Sequence, residues 1–273
     1  MRVDPPAVPI RLVLFFEFAA LILREYVRHE LGLAGVDARS AAHLSAIAGF
    51  LALAVFMAPL WRRLAPAIIL GWRPPSAFLK LVVLSIAVGV IMRLASYSLA
   101  LSLLVFRPGG PLDGNPPGPI AWWQCPPAGS LVLSLAVLSA ATPFVEETVS
   151  RGLILAELRA RRVPFAITIS AALFAVFHDP GTIPLAFLFG IVAARLAIRQ
   201  GTLWGAFVAH ATFNALVAVD SNCLGLAWQP ARSVPGGLFL VAATGAMVLL
   251  ALRIARAGGA GPDGPDRPSS TSC

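Results

Sequence analysis

The chain alternates between long apolar runs and short polar connections that hold most of its charges. The apolar runs cover about 12–31, 41–60, 78–106, 129–158, 164–178, 182–198, 202–220 and 236–254. A helix that crosses a bilayer upright needs about 20 apolar residues, so the shorter runs predict tilted or buried segments. The pattern predicts an all-α, polytopic integral membrane helical bundle with about eight membrane segments.

The composition supports the membrane class. Only 12% of the residues are charged and 58% are hydrophobic, whereas soluble domains carry about 25% charged residues. We predict a single integral membrane domain over residues 1–257. Residues 258–273 are polar and of low complexity, which predicts a disordered tail. The first apolar run contains Glu17, Arg24 and further charges, so it could instead lie flat at the membrane interface.

The net charge of +8 comes from short basic clusters between the apolar runs. This arrangement predicts contact with the lipid bilayer and no binding of nucleic acid. The positive-inside rule places four basic segments in the cytoplasm: 61–80, 159–162, 199–201 and the C-terminal tail. The connections 107–129 and 220–237 then lie outside with Cys125 and Cys223. These two cysteines either form a disulfide or stay unpaired.

Two adjacent glutamates and an arginine interrupt the apolar run over 129–158. Residues four apart face each other on a helix, so Glu147 and Arg151 are predicted to form an ion pair. Glu146 points about 100° away from Glu147 and is less fully paired. A poorly paired carboxylate in apolar surroundings suits a general base. The alternative is a purely structural ion pair, which would not need Glu146.

Two further polar pairs lie in later apolar runs, again with a spacing of four residues. Phe174 and His178 share a helix face, and Asp179-Pro180 is predicted to end that helix. His210 and Asn214 share a face of the next motif-bearing helix and need hydrogen-bond partners there. The alternatives are a structural histidine at a helix end and an interhelical hydrogen-bond clamp.

The depth of these residues in the membrane predicts that they meet. Counted from the basic connections at about 1.5 Å per residue, Glu146 lies roughly 20 Å, His178 roughly 24 Å and His210 roughly 16 Å from the cytoplasmic side. The three motifs are therefore expected to form one site within the bundle. The four central segments that carry them are the expected catalytic core.

The residue types favour hydrolysis by an activated water molecule. The His-Glu-x-x-His pattern of many zinc proteases is absent, and no cofactor is expected. A zinc ion held by His178, His210 and Glu146 stays an alternative to metal-free catalysis. In the metal-free case a carboxylate and an imidazole hold the water. Side-chain N–H groups of His210 and Asn214 would stabilise the oxyanion that forms.

The ordered set Glu-Glu-x-x-x-Arg, Phe-x-x-x-His and His-x-x-x-Asn resembles the CAAX-processing and bacteriocin-processing (CPBP) family of glutamate-dependent intramembrane endopeptidases. The resemblance covers about residues 130–220. It implies that Glu146 and His178 activate the water and that Phe174 contacts the substrate. It also implies that Glu147 and Arg151 orient the site. His210 and Asn214 would form the oxyanion hole.

The expected function is therefore an intramembrane endopeptidase that acts on membrane-anchored proteins or peptides. Its substrates would carry either a CAAX-type box or a C-terminal sorting signal. The composition, rich in Ala, Arg, Pro and Gly, suggests a bacterial gene and hence the bacterial inner membrane. The alternative from another class is a non-enzymatic membrane protein, such as a proton-coupled transporter or an immunity or scaffold factor.

Overall fold

A computed structural model describes residues 9–60, 63–64, 68, 71–105, 125, 127–159, 162–223 and 234–257. Eight long helices lie in this part of the chain: α1 (Ile10–Leu33), α2 (Ala38–Met57), α3 (Phe78–Val105), α4 (Ala128–Leu158), α5 (Val163–Val176), α6 (Ile183–Gln200), α7 (Trp204–Cys223) and α8 (Val234–Ala257). The predicted tail, 258–273, lies outside the described residues.

Each predicted apolar run coincides with one of these helices, which confirms the all-α membrane bundle. Among the described residues, five segments are long and apolar enough to cross a membrane: Ala38–Leu60, Phe78–Ser102, Ala128–Leu158, Pro180–Gln200 and Gly237–Ala257. Helix α5 is apolar but shorter, and α1 packs along α2 despite its charges. The count of eight membrane segments therefore stays a prediction.

Helix α3 packs along both α7 and α8, and α5 packs along α6. Small residues allow the closest of these contacts, as is usual between membrane helices. A side-chain carbon at Gly89 of α3 would lie 2.5 Å from the Ala209 carbonyl oxygen of α7. One at Gly190 of α6 would lie 2.9 Å from Cα of Ala171 in α5. These two glycines hold the helices at backbone-contact distance.

The helix ends follow from local sequence. The Asp37 side chain accepts hydrogen bonds from the backbone N–H groups of Arg39 and Ser40 and so caps α2. These bonds lower the pKa of the exposed Asp37 carboxyl, with the Ser40 contact as the main cause. Gly201 ends α6 with a φ of 63°, a left-handed conformation that glycine adopts without strain.

Helix α4 is irregular where it carries the first motif. Two π-helical segments, Ala136–Ala141 and Thr148–Ile154, flank one α-helical stretch, Thr142–Glu147, that contains both glutamates. Each π-helical segment contains a carbonyl that accepts a hydrogen bond from another helix. Leu138 accepts from Asn214, and Ser150 accepts from the Ser170 hydroxyl. The wide turns thus fix α4 against α7 and α5, as π-bulges often do at functional sites.

Cys125 and Cys223 form a disulfide in the structure, which decides between the two alternatives that the sequence left open. The bond joins the chain just before α4 to the last residue of α7. It therefore connects the two helices that carry the first and third motifs.

We expect Gly89→Ala to destabilise the bundle. The added methyl group would clash with the Ala209 carbonyl oxygen and with Thr212 Cβ, at 2.5 and 2.7 Å. Overpacking of this kind costs about 1–3 kcal/mol. The measurement is the unfolding transition in detergent. Gly245→Ala in α8 is the matched control, because a Cβ there meets nothing within 4 Å, and its transition should stay near that of the wild type.

The disulfide predicts the number of reactive thiols. Unfolded but unreduced protein should take up one alkylating group, on Cys273, and reduced protein should take up three, because the chain has three cysteines. Intact-mass spectrometry distinguishes the two states. Three groups on unreduced protein would contradict the bond.

Candidate active site

The three sequence motifs meet in space as predicted. Glu146 Oε2 from α4 faces two imidazole rings at once. His178 Nε2 lies 4.0 Å from this oxygen and His210 Nε2 lies 3.8 Å from it. The Glu146 oxygen is buried and has no hydrogen-bond partner among the described residues. A carboxylate oxygen thus lies opposite two ring nitrogens, which is the centre of the candidate site.

His178 lies just beyond α5, which ends at Val176 and is followed by Asp179-Pro180. Its Nδ1 lies 2.9 Å from the Phe174 carbonyl oxygen. A carbonyl oxygen only accepts, so Nδ1 carries the proton. In the neutral ring Nε2 then bears a lone pair, and this is the atom that faces Glu146.

His210 is held by the second glutamate of the pair. Its Nδ1 lies 2.9 Å from Glu147 Oε1, and its side chain is almost fully buried. Since Glu147 is ion-paired and accepts, His210 Nδ1 donates to it. The other nitrogen, Nε2, is thereby oriented towards Glu146.

Glu147 and Arg151 form the predicted pair, with Arg151 Nη1 3.2 Å from Glu147 Oε1 and no solvent exposure of either side chain. A second guanidinium nitrogen, Nη2, donates to the Gly190 carbonyl oxygen at 3.3 Å. The guanidinium also stacks on the Phe174 ring, 4.3 Å from its centroid. Two charges removed from water thus compensate each other and are further stabilised by α5 and α6.

Asn214 lies one turn beyond His210 on α7 and lines the same cavity. Its Nδ2 donates to the Leu138 carbonyl oxygen at 2.8 Å. An amide nitrogen carries two hydrogens, so one further N–H can bind another acceptor. Its oxyanion-binding role stays a prediction.

Phe174 is buried with 5% exposure. Its ring centroid lies 4.5 Å from that of His178 and 5.8 Å from that of His210, which it meets edge-on. The ring thus fixes both histidines and the Arg151 guanidinium. It also lines the cavity, so the predicted substrate contact and this packing role are compatible.

The site opens into a cavity of about 730 Å³ inside the bundle. Helices outside the predicted catalytic core supply part of its wall: Leu21, Arg24 and Glu25 from α1, Ala42, His43, Ala46 and Phe50 from α2, and Arg93 from α3. A smaller adjoining pocket is lined by Glu17, Arg24, Glu146 and His178. The first half of the chain therefore completes the site.

Sequence reasoning missed one ion pair at this cavity. Arg93 Nη2 lies 2.9 Å from Asp220 Oδ2, and the Tyr97 hydroxyl also donates to that carboxylate. The sequence did indicate that Arg93 is paired, because an arginine inside an apolar run needs a partner within the membrane. The partner lies 127 residues away in the chain, so its identity depends on the packing of α3 against α7.

In the part of the chain that the structure describes, no group of three or more His, Cys, Asp or Glu side chains has the arrangement of a metal site. Glu146 Oε2 and the two Nε2 atoms are the donors that zinc would use, if they moved closer together.

Residues 128–216, about a third of the chain, match the family model described as type II CAAX prenyl endopeptidase Rce1-like. The segment contains all three motifs and confirms the resemblance to the CPBP family. Neither the curated proteins nor the solved structures give a significant match.

We expect Arg151→Leu to destabilise the protein strongly, because it leaves the Glu147 carboxylate buried without its cation. Loss of one partner of a buried pair costs about 3–5 kcal/mol. The double variant Glu147→Leu/Arg151→Leu removes both charges. It should be more stable to unfolding than the single variant. Unfolding transitions in detergent measure both. Equal stability of wild type and Arg151→Leu would contradict the pairing.

Proposed function

Since residues 128–216 carry the pattern of the Rce1-like CAAX endopeptidase family, we propose that the protein is a glutamate-dependent intramembrane endopeptidase. It hydrolyses peptide bonds in membrane-anchored proteins or peptides. It acts as an integral protein of the bacterial inner membrane, and its reaction uses an activated water molecule without a metal ion.

One observation carries the proposal. A single carboxylate oxygen, Glu146 Oε2, faces the Nε2 atoms of His178 and His210 at 4.0 and 3.8 Å. All three side chains line a cavity large enough for a peptide segment. A water molecule between Glu146 and His178 would lie within hydrogen-bond reach of both, which is the geometry required of a general base.

The first step is attack by this water on the carbonyl carbon of the scissile bond. The water oxygen bonds to that carbon while Glu146 takes the proton. The lone pair of His178 Nε2 accepts the water's other hydrogen and orients the molecule. The bond from His178 Nδ1–H to the Phe174 carbonyl holds the ring in the tautomer that this role requires.

The attack moves negative charge to the former carbonyl oxygen. His210 can donate to this oxyanion from Nε2 only when its ring is doubly protonated, because Nδ1–H already binds Glu147. That form lies between two carboxylates, Glu147 and Glu146, which compensate its charge. Asn214 provides its second N–H. Such donors, aimed at developing charge, contribute factors of about 10²–10³ each.

Collapse of the intermediate breaks the carbon–nitrogen bond, and the leaving amine takes the proton from Glu146. The carboxylate is then restored for another cycle. Glu147 and Arg151 are positioning residues in this scheme, since they hold His210 and do not touch the substrate. Phe174 packs over the guanidinium and adds an apolar wall beside the reacting bond.

We expect Glu146→Gln to lower the rate of peptide cleavage by at least about 10²-fold, because removal of a general base costs 10²–10⁴. The assay uses purified protein in detergent and a panel of membrane-anchored C-terminal peptides. Glu157→Gln is the matched control, because Glu157 lies on the same helix, near its C-terminal end and away from the cavity. This variant should keep wild-type activity.

The same assay with a chelator tests the metal-free reaction. Cleavage by the wild type should survive. Loss on chelation, restored by zinc, would show that the same three residues hold a metal. Unchanged cleavage by the Glu146→Gln variant would show that Glu146 is not the general base. If no peptide is cleaved by any form, a proton-coupled transporter or a scaffold becomes the better hypothesis.

A further inference from the structure

The two ends of the bundle differ in charge. In the described part of the chain, the end where α1 begins and α2 finishes carries nine exposed basic side chains: Arg11, Arg63, Arg73, Lys80, Arg159, Arg162, Arg199, Arg253 and Arg256. Only Glu157 among the described acidic residues lies there. We call this the basic end. Cytoplasmic connections of membrane proteins carry such an excess of Lys and Arg.

The opposite end holds four described basic residues, Arg24, Arg28, Arg39 and Arg93, against Glu25, Glu30, Asp37, Asp179 and Asp220. It also holds the Cys125–Cys223 bond, and we call it the disulfide end. Disulfides persist on the oxidising side of a cell membrane and are rare in the cytoplasm. Charge and cysteine chemistry are independent observations, and both place this end outside.

The cavity belongs to the disulfide end. Part of its wall comes from residues 21–25 of α1, 42–50 of α2, 138–146 of α4 and 210–217 of α7. Asp179, Pro180 and Thr182, in the exposed connection between α5 and α6, form part of its rim. None of the nine basic residues named above lines it.

Resting on the proposed function, we propose that the active-site cavity opens on the non-cytoplasmic face of the membrane and receives peptide segments of exported, membrane-anchored proteins. The Arg151 side chain, between the site and the basic end, is fully buried. A cytoplasmic peptide would have to pass this buried layer, whereas the cavity wall on the disulfide side includes the exposed residues Asp179, Pro180 and Thr182.

This orientation places the cleavage reaction after transport of the substrate across the membrane. The scissile segment must first cross the membrane, so a translocation reaction supplies the substrate. Cleavage would then release an external segment from its anchor, or trim a C-terminal extension outside. A prenylated box at the C-terminus of a cytoplasmic protein does not reach this rim.

Thiol labelling tests the orientation without any cleavage assay. Gly181→Cys places a thiol at the rim, where a Cβ meets nothing within 4 Å. Ala77→Cys is the matched variant at the basic end, at an exposed position just before α3. Both are made with Cys273→Ser, so that the native disulfide is the only other cysteine pair. A membrane-impermeant maleimide is added to intact spheroplasts and, separately, to inside-out vesicles.

We expect Gly181→Cys to react at least about tenfold faster in spheroplasts, and Ala77→Cys to react at least about tenfold faster in inside-out vesicles. These ratios support the external opening. Reaction of Gly181→Cys from the vesicle side, from both sides equally or from neither side would overturn it.

A pair of reporters separates this inference from the proposed protease activity. One single-pass reporter presents the same C-terminal peptide outside, and the other presents it in the cytoplasm. Cleavage of the external reporter alone, lost in Glu146→Gln, supports both proposals. Cleavage of the cytoplasmic reporter overturns the orientation. The expected labelling without cleavage of either reporter counts against the protease function and leaves the external opening supported.

Discussion

One buried carboxylate organises the site. Glu147 Oε1 receives a guanidinium from its own helix and an imidazole from α7, at 3.2 and 2.9 Å. A buried ion is tolerated only when it is paired and hydrogen-bonded, so Arg151 and His210 are both required beside it. The guanidinium in turn binds a carbonyl of α6 and stacks on a ring of α5. Four helices are therefore held in register around one fully buried carboxylate.

The two adjacent glutamates have different surroundings, and this difference underlies the different roles that we propose for them. Glu147 is fully enclosed and its charge is compensated. Glu146 is about a quarter exposed and faces the cavity with an oxygen that has no partner among the described residues. A helix turns about 100° between neighbours, so a consecutive pair provides one structural and one accessible carboxylate.

Much of this could be predicted from the sequence because it is local. The eight helices follow from apolar runs, and Glu147 meets Arg151 because residues four apart share a helix face. The convergence of Glu146, His178 and His210 was predicted from their estimated depth in the membrane alone. Other features depend on tertiary packing. No periodicity indicates the π-helical turns of α4 or the bond from Asn214 to Leu138. The walls supplied by α1, α2 and α3 became visible only in the assembled bundle.

The Cys125–Cys223 bond has a mechanical consequence. It ties the chain before α4 to the end of α7, and these helices carry Glu146 and His210. The two sides of the candidate site therefore cannot separate at that end while the bond is intact. The opposite wall, formed by the α1–α2 hairpin, has no such covalent tie among the described residues. Under the proposed function, a peptide with bulky side chains would be accommodated by displacement of this hairpin, while the bond limits separation of the helices that carry the glutamate and the imidazole.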